Sequence, residues 1–454
     1  MWLRINGSWV AGTSGTGNPA TGAYPTYTAV VDGTYTPMGA PWQGHSSGGS
    51  GAVHWRWNFG QNGTFTGEKT AQGNADGNGH GDFYYSVPSG FYALCSKNLP
   101  TSTIKEPGDY FNVVRWTGNG STQSISGVGF QPDLAWIKNR TAADNHKWTD
   151  AVRGATKEIE SNSTDAEATN ADGLTSFASD GFALGDDDEY NTNTEKYVSW
   201  NWLAGTAPTA DNSASAGATP TAGSVKIDGA NLGSALAGSI AATRLSANTT
   251  SGFSIVKYTS GGSTGTVAHG LGVKPDIVLQ KRLDDTEDWY MYTDIFDGTP
   301  DAINLSGTGG KYDWNNGVVP TTSVFTETNN SSAVVVSYCI ASVEGFSKVG
   351  IYEANNSTDG PFVYTGFNPQ YIMIKYADGT DESWWIQSWE TNSYNKSNWP
   401  LFANLTAVEG EAGVIDFLSN GFKLRATNGG INGNTDTYMY IAFADYPFKY
   451  SNAR

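Results

Sequence analysis

The stretch Gly129-Phe130-Gln131-Pro132-Asp133-Leu134-Ala135-Trp136-Ile137-Lys138 returns twice in altered form. Its counterparts are Gly272-Val273-Lys274-Pro275-Asp276-Ile277-Val278-Leu279-Gln280-Lys281 and Gly366-Phe367-Asn368-Pro369-Gln370-Tyr371-Ile372-Met373-Ile374-Lys375. Proline precedes lysine by six residues each time, with a strand-like apolar run between them. Proline is tolerated where a strand begins, because its missing N–H falls outside the hydrogen-bond ladder. A lysine closing each run reads as the strand's exit to solvent, or as the partner of a recurring carboxylate.

Other landmarks keep the same order around this signature. A strand opening on Phe111, Phe253 or Phe346 ends in Ser121-Thr122, Ser263-Thr264 or Ser357-Thr358, the third copy being one residue longer. A tryptophan follows each lysine: Trp148, Trp289, and Trp384 or Trp385. Residues 173–184 match 413–424, and each contains a hairpin dipeptide, Asp180-Gly181 or Asn420-Gly421, suited to the positive φ of a type I′ turn. Copy two keeps a weaker version near Gly317 and Phe325. The strands Tyr197–Leu203, Val334–Ile340 and Tyr438–Phe443 close the copies. Self-similarity of this kind decides the architecture before any local reading.

The fold class expected is all-β. Three related β-sandwich repeats of jelly-roll or lectin-like type follow a small N-terminal β segment. The segments are 1–105 for the N-terminal part, 106–204 for repeat one, 205–250 for a flexible Ala/Gly/Ser/Thr-rich linker with room for a short pairing segment at Ser224–Asp228, 251–345 for repeat two and 346–454 for repeat three. On this division repeats two and three abut, and repeat one hangs separately. Hairpins are expected at 5–10 and 31–36, and the best helix candidate is a short one at Ala155–Glu160.

Composition agrees. The 454 residues include 56 Gly and 16 Trp, with 15% charged and 13% aromatic residues, which suits short strands and tight turns. A net charge of −18 opposes binding to a phosphate backbone. Cys95 and Cys339 lie in strand-like runs without zinc-ligand spacing and read as buried free thiols. The N-terminus lacks the apolar core of a signal peptide, and no run approaches membrane-spanning length. Extracellular action would then require release such as lysis.

Several segments resemble virion proteins of marine tailed phages. Residues 58–61, 69–74, 81–85 and 93–100 resemble the end of a SPRY/concanavalin-like domain in those proteins. Residues 129–140, 207–213, 266–272 and 362–367 resemble the repeated β-domains that follow it. Residues 37–105 offer fewer strands than a complete SPRY-like domain. The resemblance implies a phage structural protein, a tail fibre or tail-associated appendage acting in assembly and host attachment. Its location would be the virion, after assembly in the host cytoplasm. Its partners would be other virion proteins, a homo-oligomer with a trimer favoured, and a host-surface glycan. A capsid decoration or vertex protein and a polysaccharide depolymerase are the alternatives.

No HExxH or GxSxG pattern supports catalysis, so no enzyme and no cofactor are expected. Acidic runs at Asp186–Glu189 and Asp284–Asp288 read as solvated loops, although Asp186, Asp187 and Asp188 are the candidates for a calcium site. Sugar-stacking candidates are Trp314 and Trp399 in polar loops, then Trp148, Trp289, Trp384 and Trp385, whose recurrence favours packing. The residues shared by the copies describe folding, so binding belongs in the loops where the copies differ.

Overall fold

The computed structural model describes residues 58–314, 317–327, 332–391, 395–433 and 436–451, and the backbone of four two-residue strands between Arg4 and Thr16. Two units form, Met1–Pro100 and Thr101–Arg454. In the first, Arg4–Ile5 pairs antiparallel with Ser8–Trp9, in agreement with the first expected hairpin. The second, at 31–36, lies outside the described residues. Residues 58–100 carry isolated bridges, Gln61 with Asp82 and Asn74 with Phe83, and no extended strand. Asp76 organises them. Its carboxylate accepts hydrogen bonds from the amides of Asn78, His80 and Ala93 and from Asn98 Nδ2. Desolvation opposes the charge, but these four donors outweigh it and hold the carboxyl below its usual range.

The second unit is built from three copies of one strand plan. In copy one the large sheet runs Phe111–Thr117, Lys196–Trp202, Leu134–Asn139, Lys147–Asp150. Copy two repeats this order with Phe253–Thr259, Val334–Ile340, Ile277–Arg282 and Tyr290–Thr293. Copy three does so with Ser347–Glu353, Thr437–Pro447, Phe367–Tyr376 and Trp385–Ser388. A small sheet covers one face of each. It consists of Gln123–Ser126, Gly181–Leu184 and Leu174–Ala178 in copy one, and Gly265–Ala268 with Val324–Glu327 in copy two. In copy three it consists of Phe362–Tyr364, Gly421–Leu424 and Ile415–Leu418. The chain is therefore all-β with tandem repeats.

The opposite faces of the three large sheets meet in one core. Trp136, Trp200 and Trp202 of copy one pack there with Ile255, Leu279 and Tyr338 of copy two and Tyr371, Met373 and Phe443 of copy three. Phe111 stacks on Phe443 at 4.7 Å between ring centroids, and Trp148 meets Trp289 at 5.2 Å. A small apolar cavity of about 30 Å³ remains where the sheets converge.

Backbone hydrogen bonds close the three copies into a ring. Glu167 N donates to Leu283 O at 3.0 Å, Lys311 N to Ala377 O at 2.7 Å, and Glu409 N to Arg140 O at 3.1 Å. Each acceptor lies two residues beyond a signature lysine. The ring thus runs from copy one to two, two to three, and three back to one, with pseudo-threefold symmetry. Copy one does not hang separately, and the cut at residue 105 moves to 100, since Ile104 joins the shared core.

Three more expectations are corrected. Residues 205–250 are not a spacer. Ala242–Asn248 pairs with Phe253–Thr259, and Val225–Ile227 adds beyond it, extending copy two to nine strands. Val225, Ala242 and Leu245 are buried, so small residues here fit a packed edge. Ala155–Glu160 is no helix. Thr156 has positive φ, and Lys157–Glu158 pairs with Ala168–Thr169. Cys339 is buried but Cys95 is half-exposed; both are free.

The hairpin glycines stand just past the two-residue turns, where they serve close approach. Ala178 pairs with Gly181 and Leu418 with Gly421, which leaves Ser179-Asp180 and Ser419-Asn420 as the two-residue loops. A Cβ on Gly181 would sit 2.0 Å from Ile125 O, and one on Gly421 2.0 Å from Val363 O.

Because all three copies share one core, the second unit is expected to unfold as a single cooperative body. Trp289→Ala removes a fully buried indole and should cost about 3–5 kcal/mol. A chain of residues 251–451 alone should lose the near-ultraviolet circular dichroism of packed aromatics. Native-like signals from that fragment would show that the copies are independent sandwiches.

Candidate functional site

The signature lysines do not exit to solvent. Lys138, Lys281 and Lys375 are fully buried, and their amines bond to backbone carbonyls. Lys281 reaches Thr164 O of copy one at 3.0 Å, besides Arg282 O and Glu287 O. Lys375 reaches Thr308 O of copy two at 2.8 Å, and also Glu382 O. Lys138 bonds Asn139 O and Ala142 O. Burial pushes all three down to about 8, against the pull of nearby carboxylates. Charge-assisted bonds of about 1.5–3 kcal/mol each roughly offset a desolvation cost of several kcal/mol. Lys281 and Lys375 thereby fix geometry at a seam between copies, and Lys138 fixes the turn that follows its own strand.

Strand register also reassigns the tryptophans. Lys281 and Lys375 stand opposite Trp289 and Trp384, one step beyond the last paired residues, and Lys138 stands opposite His146. His146 is therefore the counterpart of Trp289 and Trp384, while Trp148 lies two residues along on the same face. Trp289 Nε1 donates to Glu160 O at 2.8 Å, and Trp384 Nε1 to Asn304 O at 3.0 Å, each across a seam. His146 occupies the third such place, close to the carbonyls of Phe402 and Leu405. Register likewise aligns Phe111 and Phe253 with Ser347 rather than Phe346, so copy three has no extra residue.

Trp148, Trp289, Trp384 and Trp385 are consequently buried packing residues and present no ring to a ligand. Trp314 stacks on Tyr292 with centroids 3.9 Å apart and is only partly exposed. Trp399 alone among the described tryptophans is exposed, at 39%. The acidic run does not converge on a cation. Asp187 caps the short helix Asp188–Asn191 by accepting from Glu189 N, and Asp186 and Asp188 face solvent. Among the described residues no group of metal-ligating side chains gathers.

The copies differ most in charge at the seam where copy three returns to copy one. Arg140 stands where the other copies have Leu283 and Ala377, and Lys196 where they have Val334 and Thr437. Arg140 Nε donates to Glu409 Oε1 at 2.6 Å, and its Nη2 reaches Thr391 O at 3.3 Å. Arg115 pairs with Glu390 at 3.1 Å. Burial pushes the Glu409 carboxyl up, although Arg140, Arg115 and Lys196 all pull against it. Beside the Arg140–Glu409 pair opens a cleft of about 450 Å³, bordered by Arg140, Lys196, Thr391, Trp399 and Glu409.

The sequence reading singled out Trp399 but not Arg140, Lys196 or Glu409. The available signal was the change from Leu283 and Ala377 to a cation two residues past the signature lysine. A second carboxylate cluster also went unforeseen. Lys147 is buried among Glu158, Glu160 and Glu189, and Glu158 further accepts from Tyr190 and Asn170. Its oxygens hold structural partners rather than an open space.

The profile of a family described as a domain of unknown function, DUF7483, matches residues 106–229 and 226–447. The chain belongs to this family. The two matches meet within Val225–Ile227 and its following turn, so that one takes copy one and the other takes copies two and three. No curated protein and no solved structure matches the chain. The cleft therefore lies wholly within the DUF7483 part of the chain, at its internal ring closure.

Trp399→Ala should cost clearly less stability than Trp289→Ala, because part of its indole is already in water. His146 supplies a pH test. It is fully buried, its Nδ1 accepts from Trp136 Nε1 at 2.8 Å, and burial and Lys138 push it well below 6.5. The unfolded chain therefore binds the extra proton. This contribution is complete above about 6.5 and is lost as pH falls, by up to about 1.4 kcal/mol per pH unit. His146→Gln should flatten the fall in melting temperature below that pH. An unchanged slope would remove His146 from the acid sensitivity.

Proposed function

We propose that this DUF7483 protein is a virion structural protein of a tailed phage, part of a tail fibre or tail-associated appendage. The observation that carries the reading is the closed ring of three copies around one core. It gives one chain the threefold form that fibre proteins commonly build from three chains. Resemblance to marine phage virion proteins at 129–140, 207–213, 266–272 and 362–367 supports the same reading. The function is particle assembly together with attachment to the host surface, and no catalytic step is required. A further trimer of chains is compatible with the proposal, but the threefold arrangement does not depend on one.

Quantitative mass spectrometry of density-purified particles tests the proposal. The expected result is the chain at a copy number matching tail proteins, with specific antibodies labelling the tail and slowing adsorption. A copy number set by the capsid lattice would make it a decoration protein. Release of reducing sugar from host envelope polysaccharide would make it a depolymerase. Absence from purified particles would overturn every virion reading.

A further inference from the structure

The cleft at the closing seam combines features found together nowhere else among the described residues. Trp399 offers an exposed indole face. Lys196 is exposed and enters no ion pair with a described residue, whereas Arg140 and Arg115 are each held by a carboxylate. Of the residues bordering the space, Arg140 and Lys196 are cations against the single carboxylate of Glu409, a local positive excess on a chain of net charge −18. The space of about 450 Å³ lies within the range of small-molecule sites.

These features select a ligand chemistry. An indole face stacks on the C–H face of a sugar ring, which is apolar and flat. An exposed ammonium takes a carboxylate or sulfate, and Thr391 and Glu409 at the wall supply polar partners. The acidic protein repels a dense polyanion, yet beyond about 8–10 Å that field is screened, so a sparsely charged ligand is admitted. We propose that the cleft between copies one and three binds an acidic saccharide, its anionic group on Lys196 and its ring on Trp399. The binding goes beyond the virion reading and holds for the isolated protein wherever that protein resides. Copies one and three supply both halves of the site, so it exists only once in the pseudo-threefold body.

Isothermal titration calorimetry on the full chain tests this, with oligogalacturonate and a sulfated oligosaccharide as probes. A neutral oligosaccharide of equal length and inorganic sulfate serve as controls. Expected are binding of at least one acidic probe and at least tenfold weaker binding of both controls. Trp399→Ala and Lys196→Glu should each weaken that probe at least tenfold while the chain stays folded, and Trp399→Phe should restore part of the loss. Absence of heat with both acidic probes would overturn the proposal. Equal affinity for inorganic sulfate, or variants that bind like the unaltered chain, would overturn it as well.

Discussion

Each large sheet in this protein carries apolar side chains on both faces, and one small sheet can cover only one of them. The strand Leu134–Asn139 is buried at every position, and Ile277–Arg282 and Phe367–Tyr376 are buried at all but the last. The uncovered faces therefore need one another. Three twisted sheets brought face to face around a common axis bury all three, and no copy can leave without opening the shared core to water. The wealth of tryptophan and the scarcity of charge follow from this constraint inside one chain, without appeal to contacts between subunits.

Closing a ring of unequal copies collects their differences at a seam. Two seams are sealed by a tryptophan donating to a neighbouring carbonyl and by a lysine reaching across to another. The third replaces the indole with His146 and adds the Arg140–Glu409 and Arg115–Glu390 pairs. It is the seam that carries His146 and opens into a cleft. Such pairs are weak as stabilisers when partly exposed. Their presence here separates what the fold repeats from what copy one alone carries.

Residues 205–250 show a related economy. The segment joining copies one and two is spent on extending the sheet of copy two, with Ala242–Asn248 laid along Phe253–Thr259. A tight packing edge needs small side chains, and so does a mobile linker. Composition alone cannot tell the two apart, because alanine, serine and threonine satisfy both.

The sequence by itself determined the threefold repeat, the all-β class and the order of strands within each copy. Those properties depend on local patterns, such as Pro132 and its counterparts at strand entry and the runs that follow. It also placed the binding candidate in a non-shared loop, at Trp399. Tertiary structure alone decided that the copies form a ring. The runs Leu134–Lys138, Ile277–Lys281 and Tyr371–Lys375 show no polar alternation, which marks burial on both faces, but nothing local says what covers the second face. It likewise decided that the signature lysines are internal, that His146 stands in the place of a tryptophan, and that Arg140, Lys196 and Trp399 share a cleft. Each of these depends on pairing register and on contact between residues far apart in the chain, 269 positions in the case of Arg140 and Glu409.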